Sequence, residues 1–265
     1  MKPLYLLFPI LLFSCRPTAE ETAQSNLNAD LCTHHPCVQG GVIRGDTTRR
    51  QLALVFTADT FGEGDRHVLE VLEKQQVKAS FFFTGNFYRD PRFKDLIKDL
   101  KTAGHYLGAH SDRHLLYCDW EKRDSLLVTR AQFLQDLDDN YREMARFGIA
   151  KSDAPLYLPP YEWYNDRISQ WTAGYGLQLI NYTPGTRSHA DYTTPEMPNY
   201  LDSETIYQSI VDYESPAPNG LNGFILLSHI GTDPARTDKF YLRLEELIGW
   251  LKARGYALVR VEEVF

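Results

Sequence analysis

Residues 50–262 read as one α/β domain whose parallel sheet is closed, or incompletely closed, into a barrel. Three observations predict this. Short apolar runs alternate with amphipathic helical segments, the pattern of a parallel sheet with crossover helices. The runs are apolar throughout, as buried strands are. Several end abruptly in Asp or His, at the place where α/β sheets and barrels carry their chemistry. The chain of 265 residues is 43% hydrophobic, enough for one full core, and shows no internal repeat.

Taken in order, Leu52–Asp59 is a buried strand ending at a carboxylate, and Phe61-Gly62-Glu63-Gly64 is the turn after it. Asp65 is placed to cap a helix with Val68, Leu69, Val71 and Leu72 inward. Lys78–Gly85 is a second strand, Pro91–Ala103 an amphipathic helix, and His105–Ala109 a third strand. Ser125–Phe147 contains a long helix marked by Phe133, Leu134, Leu137, Tyr141 and Met144. Leu156-Tyr157-Leu158 is a short strand stopped by Pro159 and Pro160. Ile168–Ala173 is a helix and Leu177–Tyr182 a strand. Thr186–Asn199 is a long polar loop, a length often tied to function. A helix over Glu204–Tyr213, a strand over Gly223–His229, a helix over Phe240–Arg254 and a strand over Tyr256–Val261 complete the chain.

The start has a different character. Lys2 precedes an apolar run from Leu4 to Phe13, too short to span a bilayer, as a secretory signal has. Leu12-Phe13-Ser14-Cys15 is similar to a bacterial lipobox, with cleavage before Cys15 and lipid on its thiol; a plain signal peptide is the alternative. Residues 1–14 are thus expected to be the signal, 15–40 a flexible tether and 41–265 the barrel domain. Such a protein would be lipid-anchored in a bacterial envelope, facing the periplasm or the outer surface, and would touch the membrane through that lipid alone. Cys32 and Cys37 are expected to pair as a small disulfide loop; a Cys32-x-His34-His35-x-Cys37 metal clip would need a second half elsewhere. Cys118 is left over, buried and reduced. The net charge of −7 argues against nucleic acid as a partner.

His110 and His114 follow the third strand at a four-residue spacing. On a helix they would share a face and could reach one metal ion, although two ordinary histidines satisfy the spacing equally well. Asp59 and His229 stand at the ends of two other strands. One carboxylate and two imidazoles, with a position left for water, match a catalytic metal site, and a histidine opposite could protonate a leaving group. Hydrolysis of an amide or ester is the chemistry indicated.

From residue 50 to 262 the order of these pieces resembles the polysaccharide deacetylase family, the NodB-homology carbohydrate esterases. His110-Ser111-x-x-His114 is similar to its His-Ser/Thr-x-x-His metal motif, and Leu227-Ser228-His229 to its Leu-x-His motif, whose His acts as acid. Lys252-Ala-Arg-Gly255-Tyr256 is also family-like. The resemblance implies a distorted (β/α) barrel, seven- or eight-stranded and TIM-like. It implies removal of N- or O-linked acetyl from a glycan with a divalent ion, zinc foremost, cobalt or nickel otherwise. It assigns Asp59, His110 and His114 to the metal and Asp59 and His229 to catalysis; Leu227 of the Leu-x-His motif is a substrate-binding candidate, and Tyr161 and Trp163 could line a sugar subsite or equally pack the barrel mouth.

The chain also departs from the family pattern. Where the family has Thr-Phe-Asp-Asp-Gly, only Asp59 is present, and it could stand as ligand (with Ala58 at the base position) or as base (with Thr60 at the ligand position). The ligand role is the one expected, because two imidazoles alone hold an ion poorly. Leu158 replaces the arginine of Arg-Pro-Pro, and the expected Asp-Trp is absent around Asn181. Glu63 and Glu162 are alternative bases. Asp112 is expected to cap or orient rather than react. These departures leave two other readings: a catalytically impaired glycan-binding lipoprotein on the same scaffold, or a hydrolase of a different amide or ester.

Overall fold

The computed structural model describes residues 31–215 and 217–265. The signal peptide, Cys15 and most of the tether lie outside the described residues. Two short strands, β1 (Cys37–Val38) and β2 (Gly41–Val42), pair as an antiparallel hairpin. The main sheet follows: β3 (Gln51–Ala58), β4 (Ser80–Phe83), β5 (Tyr106–Ala109), β6 (Leu156–Tyr157), β7 (Gln178–Leu179), β8 (Phe224–His229) and β9 (Ala257–Val259). Among the described residues these seven strands lie in the order β7-β6-β5-β4-β3-β8, with β9 added on β3, and every pair is parallel.

β3 is shared by three neighbours. β8 pairs along one edge from Leu52 to Thr57; on the other edge β9 takes Gln51–Ala53 and β4 takes Val55–Ala58. The two ends of the sheet then curl toward each other. Val42 bridges Ile180 beside β7, the Thr183 N–H donates to the Ile225 carbonyl at 3.0 Å, and the Ile225 N–H donates to Thr183 Oγ1 at 2.9 Å. The result is a distorted seven-stranded (β/α) barrel in one domain, as the alternation predicts.

Seven helices are described in full: α1 (Asp65–Lys74), α2 (Gly85–Arg89), α3 (Lys94–Thr102), α4 (Arg130–Ala145), α5 (Asp166–Gly174), α6 (Ser203–Glu214) and α7 (Leu244–Ala253). Gly64, not Asp65, takes the N-cap of α1; Asp65 is its first residue, where a carboxylate suits the positive end of the helix. α4 begins in a reciprocal Thr129/Gln132 capping box and buries Phe133, Leu137, Tyr141 and Met144. The same face also buries Asp136 and Asn140, and both bond toward the loop after β5. No described helix is long and apolar enough to cross a membrane.

Residues 31–40, expected within the tether, are folded. Cys32 and Cys37 form a disulfide, with Cα atoms 5.5 Å apart. Tyr164 Oη donates to the Val38 carbonyl at 2.8 Å, and Ser169 Oγ to that of Gln39, so the hairpin is fastened to the loop before α5 and to α5 itself. A short loop closed by a covalent bond and anchored from outside needs no apolar run of its own, which is why composition placed the boundary too late. Cys118 is free and buried.

An aromatic ladder fills the space between β4, α2 and the turn before α3. Phe83 stacks on Phe87 at 4.3 Å between centroids, and Phe87 on Phe93 at 3.9 Å. All three are buried. Phe87→Ala removes the middle ring of the stack and should cost about 3–5 kcal/mol in urea unfolding.

Candidate active site

One cavity of about 680 Å³ opens at the carboxyl ends of the strands, and Asp59, His110, His114 and His229 all line it. β3 delivers Asp59 one residue beyond its end, β5 delivers His110, and β8 ends at His229. Parallel pairing sets Thr57 opposite His229, so the carboxylate and the histidine arrive beside each other.

His110 and His114 do not share a helical face. The chain after β5 is a loop in which Ser111 (φ 73°) and His114 (φ 55°) are left-handed. That turn, not a helical repeat, brings the rings to 5.1 Å between centroids. Buried polar groups of α4 hold the loop: the Asn140 side-chain oxygen accepts from the His110 N–H at 3.0 Å, and Asp136 accepts from the N–H groups of Asp112 and Arg113. His110 Nδ1 lies 2.8 Å from the Leu158 carbonyl. A carbonyl only accepts, so Nδ1 carries the proton and Nε2 keeps its lone pair. Burial, reinforced by the neighbouring His114, holds the pKa of His110 well below the usual imidazole value. Burial likewise brings His114 down to about 4, opposed by Asp59. Both rings are neutral at pH 7.

Asp59 is oriented by a chain of polar contacts. Its Oδ1 accepts from Thr84 Oγ1 at 2.9 Å and from Asn86 Nδ2 at 3.1 Å. The side-chain oxygen of Asn86 accepts from Arg89, which is ion-paired with the buried Asp112. Asp112 therefore orients, through Arg89 and Asn86, the carboxylate that faces His114.

His229 has a partner that sequence reading missed. Its Nδ1 lies 2.7 Å from Asp191 Oδ1, and its backbone N–H donates to Asp191 Oδ2 at 2.9 Å. Asp191 is buried, in the short 3-10 turn Ser188–Tyr192 inside the long polar loop. Burial disfavours the His229 cation, but the Asp191 charge and hydrogen bond, with Glu162 beyond, outweigh it and raise the pKa above the usual value. A protonated imidazole held by a buried carboxylate is a competent proton donor.

The other expected residues divide. Tyr161 is 44% exposed at the cavity rim and packs on His114 at 4.3 Å between centroids. Trp163 also lines the cavity, beside Trp120, a 56% exposed ring that the sequence did not single out. Leu227 needs correction: it is fully buried, paired with Val55 inside the sheet, and does not line the cavity, because a strand residue two before a mouth-facing one points into the packed barrel. Glu63 also lies outside the cavity wall: it pairs with Lys239 at 2.7 Å and accepts from the Thr232 N–H at 2.9 Å, contacts that tie a surface turn together. Glu162 lines the cavity, and burial pushes its carboxyl up to about 7, with His229 opposing and Asp191 assisting.

The nitrogen donors suit a divalent ion; the oxygen donor does not close on them. Among the described residues no three His, Cys, Asp or Glu side chains stand close enough together to hold a metal. The grip of one carboxylate and two imidazoles is incomplete, with the Asp59 carboxylate directed instead by Thr84 and Asn86.

Barrel and site together define a hydrolase of the carbohydrate-esterase class. The polysaccharide deacetylase family description matches residues 44–180, just over half of the chain, and the chain belongs to that family. It is 24% identical over 221 residues to the peptidoglycan-N-acetylmuramic acid deacetylase PdaA of Bacillus subtilis, covering 83% of this chain and 73% of the relative. It is 26% identical to a chitin deacetylase of Arthroderma benhamiae over 226 residues, covering 84% of this chain and 54% of that one. Among solved structures, Bacillus subtilis PdaA superposes with a TM-score of 0.63 at 21% identity, covering 90% of this chain and 88% of that one. A family 4 carbohydrate esterase pseudoenzyme from Bacillus anthracis superposes with a TM-score of 0.65 at 18% identity, covering 86% and 69%.

The His229–Asp191 pair can be tested without substrate. Asp191→Asn removes the largest influence raising the His229 pKa and leaves burial in place. An NMR titration of the His229 ring should show its midpoint moving downward from above the usual imidazole value.

Proposed function

We propose that this protein is a metal-assisted deacetylase that removes acetyl groups from a neutral acetylated glycan of the bacterial envelope or one supplied from outside it. The observation that carries the reading is the His229–Asp191 pair, a proton donor held ready in an aromatic-rimmed cavity of the family's barrel. His229 would give its proton to the leaving amine or alkoxide, with Asp191 keeping the ring oriented. His110 and His114 would hold a divalent cation, zinc or else cobalt or nickel, and Asp59, whose charge acts on His114, would have to turn from its present partners to share it. When bound, such an ion supplies polarisation of the acyl carbonyl and acidification of water. Trp120, Tyr161 and Trp163 would stack on sugar rings at the rim. Among the described residues no Lys or Arg lines the cavity, while Asp59, Glu162 and Asp233 do, which favours a neutral sugar over an anionic one. The lipobox-like Leu12–Cys15 supports an envelope location.

A second reading has its own observation. The mouth-facing end of β3 offers Thr57, Ala58, Asp59 and Thr60, one carboxylate in four positions. A glycan-binding protein without turnover would be served by that wall equally well.

Acetate release separates the two. The purified protein is incubated with N-acetylated chito-oligosaccharide and with O-acetylated xylo-oligosaccharide, each with zinc, cobalt or nickel. Metal-dependent acetate release is expected, and His229→Ala should lower kcat by about 100-fold or more. If no acetate appears from either substrate with metal shown bound by dialysis, deacetylation is rejected. Retained glycan affinity that is lost in Tyr161→Ala and Trp120→Ala would then establish the binding reading.

A further inference from the structure

We infer that Glu162 is the general base of this hydrolysis, taking over the task for which the end of β3 has no second carboxylate. The inference rests on the deacetylase reading above.

The first observation is the backbone. Tyr161 (φ 58°, ψ 8°) and Glu162 (φ 53°) are consecutive non-glycine residues in the left-handed region, directly after Pro159-Pro160. Such conformations are strained for residues with a side chain and persist only where the surroundings enforce them. Here the surroundings do. The Glu162 N–H donates to the Pro159 carbonyl at 3.1 Å, the Trp163 N–H to that of Pro160 at 3.2 Å, and Asn181 Nδ2 to the Glu162 carbonyl at 2.9 Å. Trp163 fixes the far side, with Nε1 on the Asp119 carbonyl and the Arg123 guanidinium 4.2 Å from its ring centroid.

The second observation is what the turn presents. Glu162 is half-buried and lines the cavity, and among the described residues nothing donates a hydrogen bond to its carboxyl. The other carboxylates in or near the cavity wall each accept a hydrogen bond or hold an ion pair: Asp59 Oδ1 from Thr84 and Asn86, Glu63 with Lys239, Asp191 with His229, and Asp233 from the Ala235 N–H. The titratable groups facing Glu162 are His229 at the end of β8, Asp191 in the long loop and Tyr182 after β7. The turn leaves an unpartnered carboxyl in the same cavity wall as the proton-donating His229. A water admitted to this cavity would have Glu162 as its base and His229 as the acid for the leaving group. The Glu162 carboxylate takes one proton from that water, whose oxygen bonds to the acyl carbon. As the C–N or C–O bond breaks, the proton on His229 passes to the departing nitrogen or oxygen. The products are acetic acid and the freed amine or hydroxyl. Loss of the proton from Glu162 to solvent and its uptake by His229 restore the start.

The test uses the full chain with N-acetylated chito-oligosaccharide and zinc. Glu162→Gln should lower kcat by about 100-fold or more and abolish the acidic limb of the pH–rate profile near pH 7, with no loss of thermal stability. Glu162→Gly, which suits a left-handed turn, should be equally slow and regain activity on addition of formate or azide. Glu162→Gln with an unchanged kcat, or with the acidic limb intact, overturns the assignment and leaves the deacetylase reading standing. Failure of formate and azide to restore any rate to Glu162→Gly overturns it too. Absence of acetate from the unsubstituted protein as well would remove the deacetylase reading, and the base with it.

Discussion

Register on β3 is the constraint on which the rest depends. Three strands take their alignment from this one element, and a one-residue slip in any of them would turn its side chains to the wrong face. With register fixed, Thr57 lies opposite His229 and Ala58 opposite Phe83, so the chemistry-bearing ends of β3 and β8 must finish at the same level. β5 is held at that level through β4, and His110 follows it. Side chains more than a hundred residues apart in sequence therefore share one cavity because the backbone ladder leaves them no alternative.

Around that fixed frame the site is maintained by buried polar groups. α4 illustrates the arrangement. Its apolar stripe faces the barrel, yet Asp136 and Asn140 on the same side are spent on backbone N–H groups of the loop from His110 to Arg113. Burial pushes the Asp136 carboxyl above the usual range, and its bonds to Ser111, Asp112 and Arg113 work against that shift. An unsatisfied carboxylate there would be costly, so the loop and the helix are fixed together. Arg236 plays the corresponding part for the loop carrying Asp191: fully buried, it donates to the carbonyls of Thr193 and Leu201. Neither anchor lines the cavity; one holds the loop that carries His110, the other the loop whose Asp191 holds His229.

Much of this was legible in the sequence, and the illegible parts have a common cause. Every strand of the main sheet and every long helix falls within a few residues of its periodic segment, because burial on a sheet or helix face leaves a repeat in the residue order. Contacts across the fold leave none. Asp191 and His229 are 38 residues apart, and nothing in the polar loop distinguishes that aspartate from its neighbours. The left-handed turns at Ser111, His114, Tyr161 and Glu162 fall on residues that ordinarily avoid them, so no glycine announced them. The spacing of His110 and His114 suggested a helix that does not form, yet the rings still meet. Leu227 matched a motif but serves the core. Trp120 stood in a polar stretch without a pattern around it.

The hairpin closed by Cys32 and Cys37 has a role beyond fastening the start of the domain. Through Val42 it lies along β7, and the Asn181 N–H donates to the Val42 carbonyl at 2.8 Å, so it occupies backbone groups at the margin of the barrel. An uncovered strand margin is a template on which a second molecule can add its own strand, the usual first step of aggregation. Protein folded in a reducing compartment would lack the covalent clasp on this cover. Its solubility, before its catalysis, is where that lack would first be felt.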